Sequence, residues 1–110
     1  MKTMRKLFFS LLLSFVAFSA QASIKPGELW PDPKGVHINA HGGGVLLHKG
    51  VYYWFGEHKS EHTSNALVGI NCYSSKDLEH WTPRGVALPV SMERGHDLER
   101  GCIMERPKVI

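Results

Sequence analysis

Cysteine is scarce in this chain: two residues in 110, Cys72 and Cys102, with no C-x-x-C pair. That excludes the usual dithiol redox motif and cysteine-rich zinc sites, both of which need sulfurs at short spacing. No apolar run reaches the ~20 residues that a membrane-spanning helix takes. Sustained helical periodicity is lacking too, so no long amphipathic helix is expected. An excess of one charge is also missing beyond the N-terminus. Setting Lys2, Arg5 and Lys6 aside from the 13 Lys and Arg leaves 10 against 10 Asp and Glu. A balanced chain gives no electrostatic reason to expect nucleic acid or an anionic membrane as partner.

What the N-terminus does have is a basic start followed by Leu7 to Phe18, apolar except for Ser10 and Ser14. Ala20-Gln21-Ala22 then supplies the small-x-small pattern of a leader-peptidase site. Residues 1–22 therefore read as a secretory signal peptide, cut between Ala22 and Ser23, which predicts a secreted or periplasmic product. No cysteine follows the apolar run closely, so neither a lipid anchor nor any other membrane anchor is expected in the mature protein. Residues 23–110 are enough for one small domain. They end on Pro107-Lys108-Val109-Ile110, which reads as the middle of a strand and gives the expectation of an incomplete domain.

Lys25 to Gly35 carries Pro26, Gly27, Pro31, Pro33 and Gly35, which predicts an irregular lead-in pinned to the body by Trp30. Val45 to His48 and Val51 to Phe55 are apolar runs separated by Lys49-Gly50, a hairpin signal. Val51, Tyr53 and Phe55 should face one way, and Tyr52 and Trp54 the other. Both faces are apolar, so the hairpin should lie between layers. Glu57 to Asn65 reads as a loop, Ala66 to Tyr73 as a third strand, and Gly85 to Val90 as a fourth. Between the last two, Asp77 can tie a turn through backbone N–H groups, and Trp81 should drop its ring onto the hairpin as a structural plug. Ser91 to Gly101 is a polar connection, and Ile103 to Ile110 should open a new strand. The class is all-β, and radially repeated four-stranded units are the blades of a β-propeller. A single blade exposes both faces and cannot close on itself.

Seven histidines invite a metal reading. His37 and His41 are four apart, as are His58 and His62, but that spacing brings ligands together on a helix, and both pairs fall in strand or loop. No metal site is expected from them. Glu57, after Trp54-Phe55-Gly56, and Glu105, between Met104 and Arg106, are carboxylates placed at strand ends, where a cleft can set their charge. The plainer alternative for Glu105 is a surface salt bridge to Arg106 or Lys108. Cys72 and Cys102 permit a disulfide in an oxidising compartment, though spacing does not establish one. The triplet Gly42-Gly43-Gly44 has two readings. Glycines remove Cβ atoms where backbone must approach a ligand, or they serve a bulge in the strand.

The stretches I38-N-A-H-G-G-G44, Y52-Y-W-F-G-E-H-K59, C72-Y-S-S-K-D-L-E-H-W81 and G101-C-I-M-E-R-P-K-V-I110 resemble the N-terminal part of glycoside hydrolase family 43. Within it they are most similar to the branch containing exo-β-1,3-galactanases. S-x-D-L-x-x-W is common to many propeller glycosidases, whereas A-H-G-G-G with E-R-P-K-V is far more specific. The resemblance implies a five-bladed β-propeller, of which this chain holds the first blade and the start of the second. It implies hydrolysis of O-glycosidic bonds with inversion, by an aspartate base, a pKa-tuning carboxylate and a glutamate acid on the first three blades. Glu105 matches the second-blade carboxylate and is the one catalytic candidate. The first-blade aspartate would fall near Gly42, where the sequence has His41-Gly42-Gly43, a departure that the galactanase-like branch shares and that leaves the base unassigned. A third-blade acid would lie beyond Ile110, so the chain as given is expected to be inactive. His41, Gly42, Gly43, Glu57 and His58 are the expected substrate-binding residues. Galactose-containing plant polysaccharides are the expected substrate, with arabinose and xylose as the family's other common sugars. No organic cofactor is implied, and calcium on the propeller axis and the number of subunits both stay open. A non-catalytic sugar-binding propeller and an inert gene fragment are the competing readings.

Overall fold

The computed structural model describes residues 25–110. The expected leader and its cleavage point lie outside the described residues. Four strands form one antiparallel sheet in the order β1-β2-β3-β4: β1 His41–His48, β2 Val51–Glu57, β3 Gly69–Ser75 and β4 Thr82–Pro89. Each strand pairs with its neighbour in sequence, the meander of a single propeller blade. No helix occurs among the described residues.

The hairpin forms where it is expected, with His48 opposite Val51 and the turn at Lys49-Gly50. Val45 opposes Trp54, Leu47 opposes Tyr52, and Trp54 opposes Tyr73, so these side chains share one face. Gly44 and Cys72 both oppose Phe55, which puts Cys72 and Phe55 on the other face. Each face carries its own apolar layer. On the first, Ile38, Ala40, Tyr73 and Trp81 are buried, with Trp30, Tyr52 and Trp54 packed against them. On the second, Ala66, Ile70 and Met104 are buried beside Phe55, Val90, Leu98 and Cys102. The expectation of apolar layers on both faces therefore holds for β2, whereas β1, the other half of the hairpin, is largely exposed.

Trp30 pins the irregular lead-in, as expected. Its ring lies 5.5 Å from Trp54 and 6.4 Å from Trp81, and its Nε1 donates to Glu79 O at 3.1 Å. Trp81 is the plug: its side chain is fully buried and its Nε1 donates to Leu78 O. Burying the indole removes a large apolar surface from water, and the N–H stays satisfied.

The expected strand over Ile103 to Ile110 does not form. Arg106 sits at φ 50, outside the extended region, and Pro107 has no N–H to give to a ladder. The segment instead runs past β1, with Lys108, Val109 and Ile110 bordering a shallow cavity alongside Gly44, Leu46 and Phe55.

The turn between β3 and β4 is organised by Asp77. Its carboxylate accepts from Glu79 N and His80 N at 2.9 and 2.8 Å, and from the Ser75 hydroxyl, while Oδ2 lies 2.6 Å from His80 Nδ1. The His80 backbone bond, then its ring and the Glu79 N–H, hold Asp77 far below the usual carboxylate range. The hydrogen bond to Asp77, followed by its charge, pushes His80 above its ordinary value. A depressed acid stabilises above its unfolded pKa, about 3.9, and that contribution is lost as pH falls through the folded value. A raised histidine stabilises below its unfolded pKa, about 6.5, and is lost as pH rises through the folded value. The turn should therefore be firmest between about pH 4 and 6.5. An NMR titration should show His80 titrating higher than it does in Asp77→Asn. Equal midpoints would remove the coupling.

Candidate active site

β2 ends at Glu57, and the loop after it turns Lys59 back toward the same strand end. β1 begins at His41 opposite Glu57, and its register shifts between His41 and Gly44 through a bulge. The segment beyond Met104 crosses the same corner. These three pieces border an open pocket of about 250 Å³ lined by His41, Gly42, Glu57, Lys59, Glu105 and Arg106. Four of the residues expected from sequence, His41, Gly42, Glu57 and Glu105, thus meet although they are up to 64 positions apart, from 41 to 105.

Glu57 is 3% exposed, and its Oε1 accepts from Lys59 Nζ at 2.9 Å. A carboxylate that deep needs a countercharge, and Lys59 supplies it from a more exposed position. Glu105 is exposed and is in no ion pair among the described residues, so the salt-bridge alternative with Arg106 or Lys108 is not what holds it. Arg106 borders the pocket in a left-handed backbone conformation at φ 50, a strained state for a residue with a side chain. The pocket therefore combines two carboxylates, two cations and an imidazole around a floor lacking a Cβ at Gly42. That set can accept from and donate to several hydroxyl groups at once.

Two expected site residues stand elsewhere. Gly43 faces β2 and not the pocket: a Cβ there would overlap the Phe55 carbonyl and come within 2.8 Å of Gly56 Cα. Gly43 thus sits at the bulge with no room for a Cβ, while Gly42 lines the pocket. His58 does not line the pocket; its Nδ1 lies 3.2 Å from Asn71 Nδ2. Lys59 was not expected at the site from sequence, and Arg106 only as a possible salt-bridge partner of Glu105, although both sit inside the quoted motifs. A cation one or two positions after each candidate glutamate is the signal that points to them.

The disulfide left open by the sequence is not formed, and both cysteines are free thiols. Cys72 is buried within the sheet, and burial pushes its thiol up against the opposing influence of Arg84. A raised thiol has little thiolate with which to react. Among the described residues, no group of three or more His, Cys, Asp or Glu is placed to hold a metal ion. No helix there is long and apolar enough to cross a membrane.

The chain matches no family model and no curated protein sequence. Solved structures do match. A β-1,3-galactosidase of glycoside hydrolase family 43, solved with galactodeoxynojirimycin, is 60% identical over 79% of this chain and 25% of its own, with a TM-score of 0.77. The chain belongs to glycoside hydrolase family 43. A second family 43 β-1,3-galactosidase is 46% identical over 79% of this chain and 18% of its own, with a TM-score of 0.68. The exo-β-1,3-galactanase of Phanerochaete chrysosporium, solved with galactose, is 38% identical over 79% and 20%, at a TM-score of 0.71. This family 43 chain thus spans about a quarter or less of the length of the chains it matches. Its sheet is one blade's worth of the five-bladed propeller that those neighbours form.

Proposed function

We propose that this chain supplies the first blade of an exported glycoside hydrolase acting on galactose-containing polysaccharides, with β-1,3-linked galactose as the first substrate to test. The observation that carries the reading is the meeting of His41, Gly42, Glu57 and Glu105, with Lys59 and Arg106, in one pocket. Its support is the similarity to galactosidases and galactanases at 38 to 60% identity. Export rests on the leader-like residues 1–22, and inversion on the family resemblance.

In this reading the blade binds and tunes, while the proton-transfer groups come from other blades. Gly42 lets a sugar ring approach the backbone, and His41 and the Glu57–Lys59 pair meet its hydroxyls. Glu105 places a negative charge beside the general acid and keeps that acid protonated near neutral pH. Inversion further requires acid and base about 6.5–9.5 Å apart, with room for one water. Blades around a common axis can provide that gap.

The test is to express the complete propeller and assay it on β-1,3-galactan and on aryl galactosides, arabinosides and xylosides. Release of galactose that appears first as the α-anomer is the expected result. Saturable galactose binding without turnover would instead identify a sugar-binding propeller, and neither binding nor turnover would overturn the galactose reading.

A further inference from the structure

Asn39 stands just ahead of β1 and lines no part of the pocket. Its side-chain amide nevertheless closes a two-bond ring with the backbone of Lys59: Nδ2 donates to Lys59 O at 2.9 Å, and Lys59 N donates to Oδ1 at 2.8 Å. This is strand-like pairing made by a side chain, at a point where the main chain has already left β2. The clasp is itself braced. Asn71 on β3 donates from Nδ2 to Asn39 O at 2.8 Å, and the same nitrogen lies 3.2 Å from His58 Nδ1. Three segments are thereby tied behind the pocket wall. At the front, Lys59 Nζ reaches the buried Glu57 carboxylate at 2.9 Å.

We propose that Asn39 is a positioning residue: by clasping the Lys59 backbone it keeps the Lys59 ammonium on Glu57, so that a bound sugar meets the two as one bonded pair. Lysine is a point charge on a flexible stem, and nothing in its own chemistry would hold it there. Displacing it would leave a buried carboxylate without a countercharge. The role toward a sugar rests on the glycosidase reading above; the clasp does not.

The experiment compares Asn39→Ala, Asn39→Asp, Lys59→Met and the double variant Asn39→Ala/Lys59→Met in the complete propeller. The Lys59 side-chain ammonium should give a slowly exchanging NMR signal in the parent that Asn39→Ala erases. Asn39→Asp, which keeps the acceptor for Lys59 N–H, should restore part of it. kcat/KM, measured well below the melting temperature, should fall on the order of 10²-fold in Asn39→Ala, the scale of a small misplacement in a site. Lys59→Met should match it, and the double variant should be no worse than either single one. A persistent ammonium signal in Asn39→Ala overturns the proposal whether or not the protein turns over a sugar. An erased signal with unchanged kcat/KM, or losses that simply multiply, overturns the positioning role while the glycosidase reading stands. Failure of that reading is seen separately, as a parent protein without turnover.

Discussion

Glu105→Gln in the complete propeller should lower turnover by about 10²-fold or more, the usual scale for disturbing general acid catalysis, and leave the melting temperature nearly unchanged. The two halves of this expectation have separate physical origins. Glu105 is exposed and bonded to no cation among the described residues, so deleting its charge breaks no ion pair and uncovers no buried group. Glutamine keeps its shape and hydrogen-bonding reach. What disappears is the negative charge at the pocket edge, and with it the repulsion that would keep a neighbouring acid protonated. The pH profile should narrow on its alkaline side, because the acid then ionises at lower pH. Turnover close to the parent's across the whole pH range would show that Glu105 merely lines the pocket.

Glu57 makes an instructive contrast. It lines the same pocket, yet it is 3% exposed and paired to Lys59. Removing either member leaves the other partly buried and unsatisfied, so stability and ligand contact should fall together there. A stability measurement beside each kinetic one therefore separates the two carboxylates.

Much of this was readable in the residues, for reasons that differ along the chain. The hairpin followed from a short polar turn between two apolar runs, and Trp30 and Trp81 from their size in otherwise polar stretches. The site was half legible. Glu57 and Glu105 stood out as carboxylates at expected strand ends, the family resemblance added His41 and Gly42, and the fold brought the four together. Asn39 and Asn71 did not, because their roles depend on side chains reaching across segments 20 and 32 residues apart. No local pattern encodes such a reach. The failed strand at Ile103 to Ile110 shows the opposite limit. Its apolar residues suit a strand, but Arg106 and Pro107 interrupt the extended backbone that pairing needs.

The three adjacent glycines were the least separable feature in sequence, and they support the second large effect. Gly43→Ala should destabilise the blade by about 3 kcal/mol or more, at or beyond the upper end for overpacking, because the obstruction is backbone that cannot rotate away. The added methyl would strike the Phe55 carbonyl and the Gly56 backbone, prying β1 from β2 at the bulge that aims His41. Gly42→Ala meets nothing closer than Arg106 N at 3.9 Å, and its penalty is the left-handed backbone at φ 57, about 1–2 kcal/mol. The methyl there would point toward Arg106 at the pocket, so sugar affinity should suffer more than stability. Urea denaturation of the two variants, with galactose titrations alongside, measures both effects. Should Gly43→Ala unfold within about 0.5 kcal/mol of the parent, as surface changes usually do, the bulge does not need a bare Cα. Gly43 would then return to the list of residues that could face a ligand.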